Sequence, residues 1–253
     1  MSTLHCIVLP GWGMEASIWS PLCQPLSDKV KLSFIDWRGV ESPEEIKARV
    51  MERIMSEPEQ TCILMGWSLG AMAALDAAAA CPDRVEGMIL FGATSRFVKL
   101  EDGNNDYQMG WDARVLRRMK RRLELEKETA LSDFYQMMFS SAERKEGWSE
   151  RFLHVSDSYF KGDSTASLLH GLDYLIHGDL RGRLPYIKAP MLLIHGEEDV
   201  VCPPAASAYI AEQTGGLSKV IAMPGVGHVP FFTKSDECLT AVIEFMQEGE
   251  QDD

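Results

Sequence analysis

The chain has 253 residues, 45% hydrophobic and 25% charged, enough to bury one large core at the upper end of single-domain size. A formal net charge of −13 repels phosphate backbones and anionic lipid, so neither nucleic acid nor a membrane is expected as a partner. No apolar run approaches transmembrane length, no cationic leader opens the chain, and the six cysteines form neither a C-x-x-C pair nor a metal-ligand cluster; the expected setting is cytoplasmic, with no metal.

In chain order, "LHCIVLP" at 4–10 is the first of six short, near-continuously apolar runs, the pattern of strands buried on both faces of a parallel sheet. It runs into the compact loop "PGWG", which by itself reads equally as an ordinary tight turn. "KLSFID" at 31–36 predicts a second strand and "SPEEIKARVMERIMSE" at 42–57 an amphipathic helix. "TCILMG" at 61–66 predicts the third strand, and "LGAMAALDAAAACP" at 69–82 a helix that starts with no linker after it. Between them stands "GWSLG", Gly66 to Gly70. Flanking glycines allow a sharp strand-to-helix turn, and the helix N-terminus offers free N–H groups to an oxyanion at Ser68. The plainer reading is a serine that caps the helix.

"GMILFG" at 87–92 predicts the fourth strand, after which the alternation stops. Residues 101–180 carry only amphipathic helical patterns, so they read as a helical cap inserted into a core made of residues 1–100 and 181–253. Within the insertion, "RVLRRMKRR" at 114–122 places six cations in nine positions. As a helix it predicts an apolar stripe of Val115, Leu116, Met119 and Leu123, with Arg114, Arg117, Arg118 and Arg121 facing elsewhere. Such a face is either solvated and partly neutralised by Glu124, Glu126 and Glu128, or a docking patch for an acidic partner.

"PMLLIHG" at 190–196 and "SKVIAMPG" at 218–225 predict the last two strands, with helices at 203–214 and 236–248, before the acidic tail "QEGEQDD". A serine nucleophile needs a base, and the base needs a carboxylate. His228, in the glycine-flanked "GVGHVPFF" after the last strand, is the expected base; His5 and His195 lie in strands, and His154, His170 and His177 in the insertion. "GEEDVV" supplies the acid, with Asp199 the choice and Glu198 the alternative. The order Ser, Asp, His is the order of nucleophile-elbow hydrolases. Backbone N–H groups of Trp12 and Leu69 complete the expected oxyanion site.

With these pieces in place the chain resembles the α/β-hydrolase superfamily over almost its whole length. "GWSLGAMAALDAAAACPDRVEGMIL", "DLRGRLPYIKAPMLLIHGEEDVVCPP" and "GVGHVPFF" are most similar to its biotin-pathway esterases, which demethylate pimeloyl-acyl-carrier-protein methyl ester. The resemblance implies a cofactor-free serine carboxylesterase with a mostly parallel sheet, helices on both faces and a helical cap. It also implies acyl carrier protein as a partner for the basic helix. Trp67 matches this subgroup, and Trp12, Trp67, Trp111 and Phe139 are the candidate substrate-lining residues. Two departures stand out: Pro10-Gly11 replaces the usual His-Gly, and only six core strands are expected, without the antiparallel pair that normally precedes the first. The resemblance leaves open a broader carboxylesterase or thioesterase, another reaction of the fold, and a non-catalytic ligand receptor.

Overall fold

The computed structural model describes residues 4–57, 60–100 and 107–249. The start of the predicted insertion (101–106) and the end of the acidic tail (250–253) lie outside the described residues. The elements in chain order are β1 (His5–Leu9), α1 (Ser20–Leu26), β2 (Lys31–Phe34), α2 (Pro43–Met55), β3 (Cys62–Trp67), α3 (Leu69–Ala80) and β4 (Val85–Phe91). Then follow α4 (Ala113–Met137), α5 (Ser141–Lys145), α6 (Trp148–Tyr159) and α7 (Thr165–His177). The chain resumes with β5 (Met191–Gly196), α8 (Ala205–Gln213), β6 (Ser218–Met223), α9 (Pro230–Thr233) and α10 (Ser235–Gly249).

The six strands, each within a few residues of its expected span, form one all-parallel sheet in the order β2-β1-β3-β4-β5-β6. Chain order reverses between β1 and β3, so the loops after these two strands leave the carboxyl edge side by side. In such a sheet this switch point is where a crevice opens for ligands. Every residue of β1, β3 and β5 is buried, which their unbroken apolar runs require. Burial on both faces fails at the two edge strands: β2 and β6 keep exposed positions, among them Phe34 and Val220.

Helix α3 is alanine-rich because it is buried all round from Leu69 to Ala78, and only small side chains let a helix backbone sit this close to the sheet. All six cysteines are buried free thiols of the core.

Helices α4 to α7 lie between β4 and β5. The two ends of this excursion are tied together where Arg96 Nη1 meets Asp179 Oδ2 at 2.8 Å. Helix α7 packs on both α4 and the core helix α2, while α6 packs on the short turn Ala16–Trp19. Helix α4 breaks at Glu126, whose φ of −149° and ψ of 57° are not helical. On it Leu116 and Leu123 are buried and Met119 half-buried, but Val115 is 46% exposed, so the predicted apolar stripe is one residue narrower than its spacing suggests. Among the described residues no helix is long and apolar enough to cross a membrane.

Candidate active site

Ser68 follows the last residue of β3 directly and takes φ 56°, ψ −115°; it is the only non-glycine residue with positive φ among those described. A β-carbon in that region costs roughly 1–3 kcal/mol, so the surrounding packing must hold it there. Its N–H donates to Phe91 O at 3.0 Å and its carbonyl accepts from Met72 N at 3.0 Å, which fixes the turn between sheet and helix. The hydroxyl makes no capping hydrogen bond to α3, so the helix-cap reading finds no support.

The glycines of the turn serve close approach. A β-carbon at Gly70 would sit 2.1 Å from the Leu9 carbonyl oxygen, and one at Gly66 2.6 Å from that of Gly70. Neither has positive φ; the strained backbone belongs to the serine itself.

Asp199 lies in the loop after β5, buried. Its Oδ1 accepts from Val201 N at 2.8 Å and Cys202 N at 2.9 Å, and its Oδ2 lies 2.6 Å from His228 Nδ1. Burial opposes its ionisation, but the adjacent imidazoles of His228 and His195 outweigh that and hold the carboxyl well below the usual carboxylate range. The alternative acids, Glu197 and Glu198, are exposed.

His228 is 1% exposed and held on three sides. Its N–H donates to Met138 O at 2.7 Å, its carbonyl accepts from Trp67 Nε1 at 2.8 Å, and its ring rests on Gly92. Gly92 has φ +52°, and a β-carbon there would lie 2.8 Å from His228 Nδ1, so this position admits only glycine. Nδ1 is engaged by Asp199, while Nε2 has no hydrogen-bond partner among the described residues. Proton acceptors of this kind are often loosely aligned without substrate. Cys202, whose N–H bonds Asp199, has a buried thiol, and burial pushes its pKa well up.

The loop after β1 lies against the same turn, since Leu9 pairs with Gly66. Pro10 O accepts from Trp37 Nε1 at 2.7 Å, a packing role for the residue that departs from the family pattern. Among the described residues no hydrogen bond engages the backbone N–H of Trp12 or of Leu69. The Trp12 ring is fixed from the inserted helices: Nε1 donates to Leu168 O at 2.8 Å, and Phe134 stands edge-on with ring centroids 5.2 Å apart.

The remaining sequence candidates separate. Trp67 is buried against His228 and Phe231. Trp111, half-buried, donates from Nε1 to Val201 O at 2.8 Å and so steadies the Asp199 loop. Phe139 is buried on Phe152, with ring centroids 5.5 Å apart. Arg114, Arg117, Arg118 and Arg121 are exposed on α4.

The structure also brings in residues that sequence reasoning passed over. Ser140 and Glu143 form a capping box at α5, signalled by the S-x-x-E spacing in "SSAE". The same box reaches the loop of His228: Ser140 Oγ donates to Gly225 O at 2.7 Å and Gly227 N donates to Glu143 Oε2 at 2.9 Å. His195 is buried beside Asp199, four residues ahead of it.

A model of the alpha/beta hydrolase family matches residues 6–241. The chain is 31% identical over 248 residues to a pimeloyl-[acyl-carrier protein] methyl ester esterase of Stenotrophomonas maltophilia, covering 95% of this chain and 92% of that one. It is 28% identical over 253 residues to the protein of that name in Nitrosospira multiformis, covering 94% and 93%. Among solved structures, a bromoperoxidase from Bacillus anthracis superposes with a TM-score of 0.84 at 18% identity, over 97% of this chain and 92% of that one, a likeness of fold alone. With an elbow serine, a buried Asp-His pair and this match over most of its length, the chain belongs to the alpha/beta hydrolase family.

Proposed function

We propose that the protein is a serine carboxylesterase that hydrolyses a carrier-bound methyl ester, with pimeloyl-acyl-carrier-protein methyl ester in biotin synthesis as the substrate. The observation that carries the chemistry is a strained Ser68 at the end of β3, whose neighbour Trp67 donates to the carbonyl of His228 in a buried His228–Asp199 pair. The substrate rests on the relatives' printed name and the length over which they match.

His228 Nε2 takes the Ser68 proton as Oγ attacks the ester carbonyl. Asp199 holds the ring with Nε2 free for that proton and stabilises the imidazolium that forms. Charge on the carbonyl oxygen is met by the N–H groups of Trp12 and Leu69, aided by the N-terminus of α3. The intermediate collapses, His228 returns the proton to the departing methoxide, and methanol leaves an acyl-Ser68. Water then gives a proton to His228 and its oxygen to the acyl carbon, His228 passes that proton to Ser68 Oγ as the acyl bond breaks, and the released acid ionises to its carboxylate.

Helices α4 to α7 serve as the cap in this reading. Trp12, with Phe134 edge-on to it, and Phe139 are the candidates for the wall of the acyl site, whereas Trp67 and Trp111 act through His228 and the Asp199 loop. Exposed Arg114, Arg117, Arg118 and Arg121 form the docking face for the acidic carrier protein.

Methanol release from methyl pimeloyl-acyl-carrier protein, compared between the protein and its Ser68→Ala variant, tests this reading. The variant is expected to lose about 10⁴-fold or more in kcat. Unchanged turnover in Ser68→Ala overturns the mechanism, and wild-type inactivity on this ester with activity on short-chain esters overturns the substrate.

A further inference from the structure

His195 is the penultimate residue of the wholly buried β5 and is 1% exposed. Its Nε2 lies 2.7 Å from Cys202 O, and a carbonyl oxygen can only accept, so Nε2 carries a proton. The same nitrogen lies 3.1 Å from Asp199 Oδ2, the oxygen that also faces His228 Nδ1 at 2.6 Å. On the other side, Nδ1 lies 2.6 Å from Oγ of Ser207, a fully buried residue of α8, whose hydroxyl donates to complete a neutral ring. Two imidazoles therefore converge on one carboxylate oxygen, whose partner oxygen already accepts two backbone N–H groups.

We propose that His195 is a positioning residue of this site: its Nε2–H, bonded to Cys202 O, lies against Asp199 Oδ2 beside His228 and so moderates how strongly that carboxylate holds a proton on His228. The proposal rests on the reading of Asp199 and His228 as the acid–base pair. The Nε2–H of His195, bonded to Cys202 O, also sets the positive end of its dipole near Oδ2, 3.1 Å from the nitrogen, so taking it away leaves more negative charge for the imidazolium of His228. The other ionisable groups around the pair are Cys202, Glu197 and Glu198 on the Asp199 loop and Glu143 and Arg144 on α5. Glu197 and Glu198 are exposed, and the Glu143 carboxylate is engaged by Ser140 N and Gly227 N. Among the described residues no hydrogen bond or ion pair joins any of these side chains to the Asp199 carboxylate or the His228 ring.

The test combines a spectrum of the native protein with a pH profile of variants. In protein labelled with ¹⁵N-histidine, the His195 ring is expected to carry its proton on Nε2 and none on Nδ1 at the pH of the assay; a doubly protonated ring or the opposite tautomer overturns the proposal. On a small methyl ester, His195→Leu and His195→Phe remove the donor, whereas the amide of His195→Gln keeps one. The acid limb of kcat/KM is expected to move up by roughly half to one pH unit in the two donor-free variants and to stay near wild type in His195→Gln. Coincident acid limbs in all variants overturn the proposal whatever happens to kcat or Tm. Ser68→Ala is measured alongside. Turnover surviving in that variant defeats the esterase mechanism and not the hydrogen-bond assignment, because the ¹⁵N spectrum reads the latter without catalysis.

Discussion

In the proposed mechanism Ser68, Asp199 and His228 act together, and each is held in place by groups that take no part in the reaction. Asp199 shows this in energetic terms. Its carboxylate is buried yet held ionised by two backbone N–H groups and two imidazoles, so its folded pKa lies below the unfolded value of about 3.9. A depressed acid contributes stability above its unfolded pKa and loses it as pH falls towards the folded one. That contribution is complete above about pH 5 and drains away below about pH 4. Urea denaturation across this range is expected to show a shallower acid loss in Asp199→Asn than in wild type. The same variant is expected to lower kcat by about 10²–10⁴-fold at pH 7, since an amide favours the wrong tautomer of His228. Equal acid slopes in the two proteins would mean that Asp199 titrates alike folded and unfolded.

At the scale of elements, the site depends on how closely α3 approaches β1. Gly70 touches the Leu9 carbonyl, and Leu9 leads through Pro10 to the N–H of Trp12. A methyl group at Gly70 must push helix and strand apart, because the atoms it meets are backbone and cannot rotate away. Gly70→Ala is expected to cost roughly 1–3 kcal/mol in urea denaturation and to lower kcat more than it raises KM, by displacing the loop of Trp12, the proposed oxyanion donor. Gly182→Ala, where a β-carbon meets nothing within 4 Å, serves as the control and is expected to stay within about 0.5 kcal/mol. This scale was legible in the sequence as far as the spacing of "GWSLG" and the apolar runs reach. The positive φ of Gly92 was not, since "LFGAT" reads as an ordinary strand end until His228 is seen resting on it.

Across the whole molecule, a chain of net charge −13 carries cations clustered on α4. Lys120 pairs with Asp173 at 2.6 Å and Arg122 with Asp133 at 2.7 Å, which leaves Arg114, Arg117, Arg118 and Arg121 exposed. The docking reading predicts that Arg117→Glu combined with Arg121→Glu raises KM for the carrier-bound ester about tenfold at low salt and leaves free dimethyl pimelate unaffected. The difference is expected to shrink at high salt, where exposed charges are screened beyond a few ångströms. Equal salt-insensitive KM values for wild type and variant would make this face an ordinary solvated surface.

The inserted helices also reach the site from the other direction, through Met138, Ser140 and Glu143 on the loop of His228 and through Leu168 and Phe134 on Trp12. No periodicity could have revealed that. By itself the sequence determined the six-stranded parallel sheet, the turn that carries Ser68 and the order in which Asp199 and His228 follow, because burial pattern, glycine spacing and chain order are local properties of a string of residues. Only the tertiary structure decided that Asp199 and not Glu198 faces the histidine, that His195 lies against its carboxylate, and that the inserted helices hold both the histidine loop and Trp12. Those are contacts between residues far apart in the chain, and they exist only once the sheet has set its strand ends side by side.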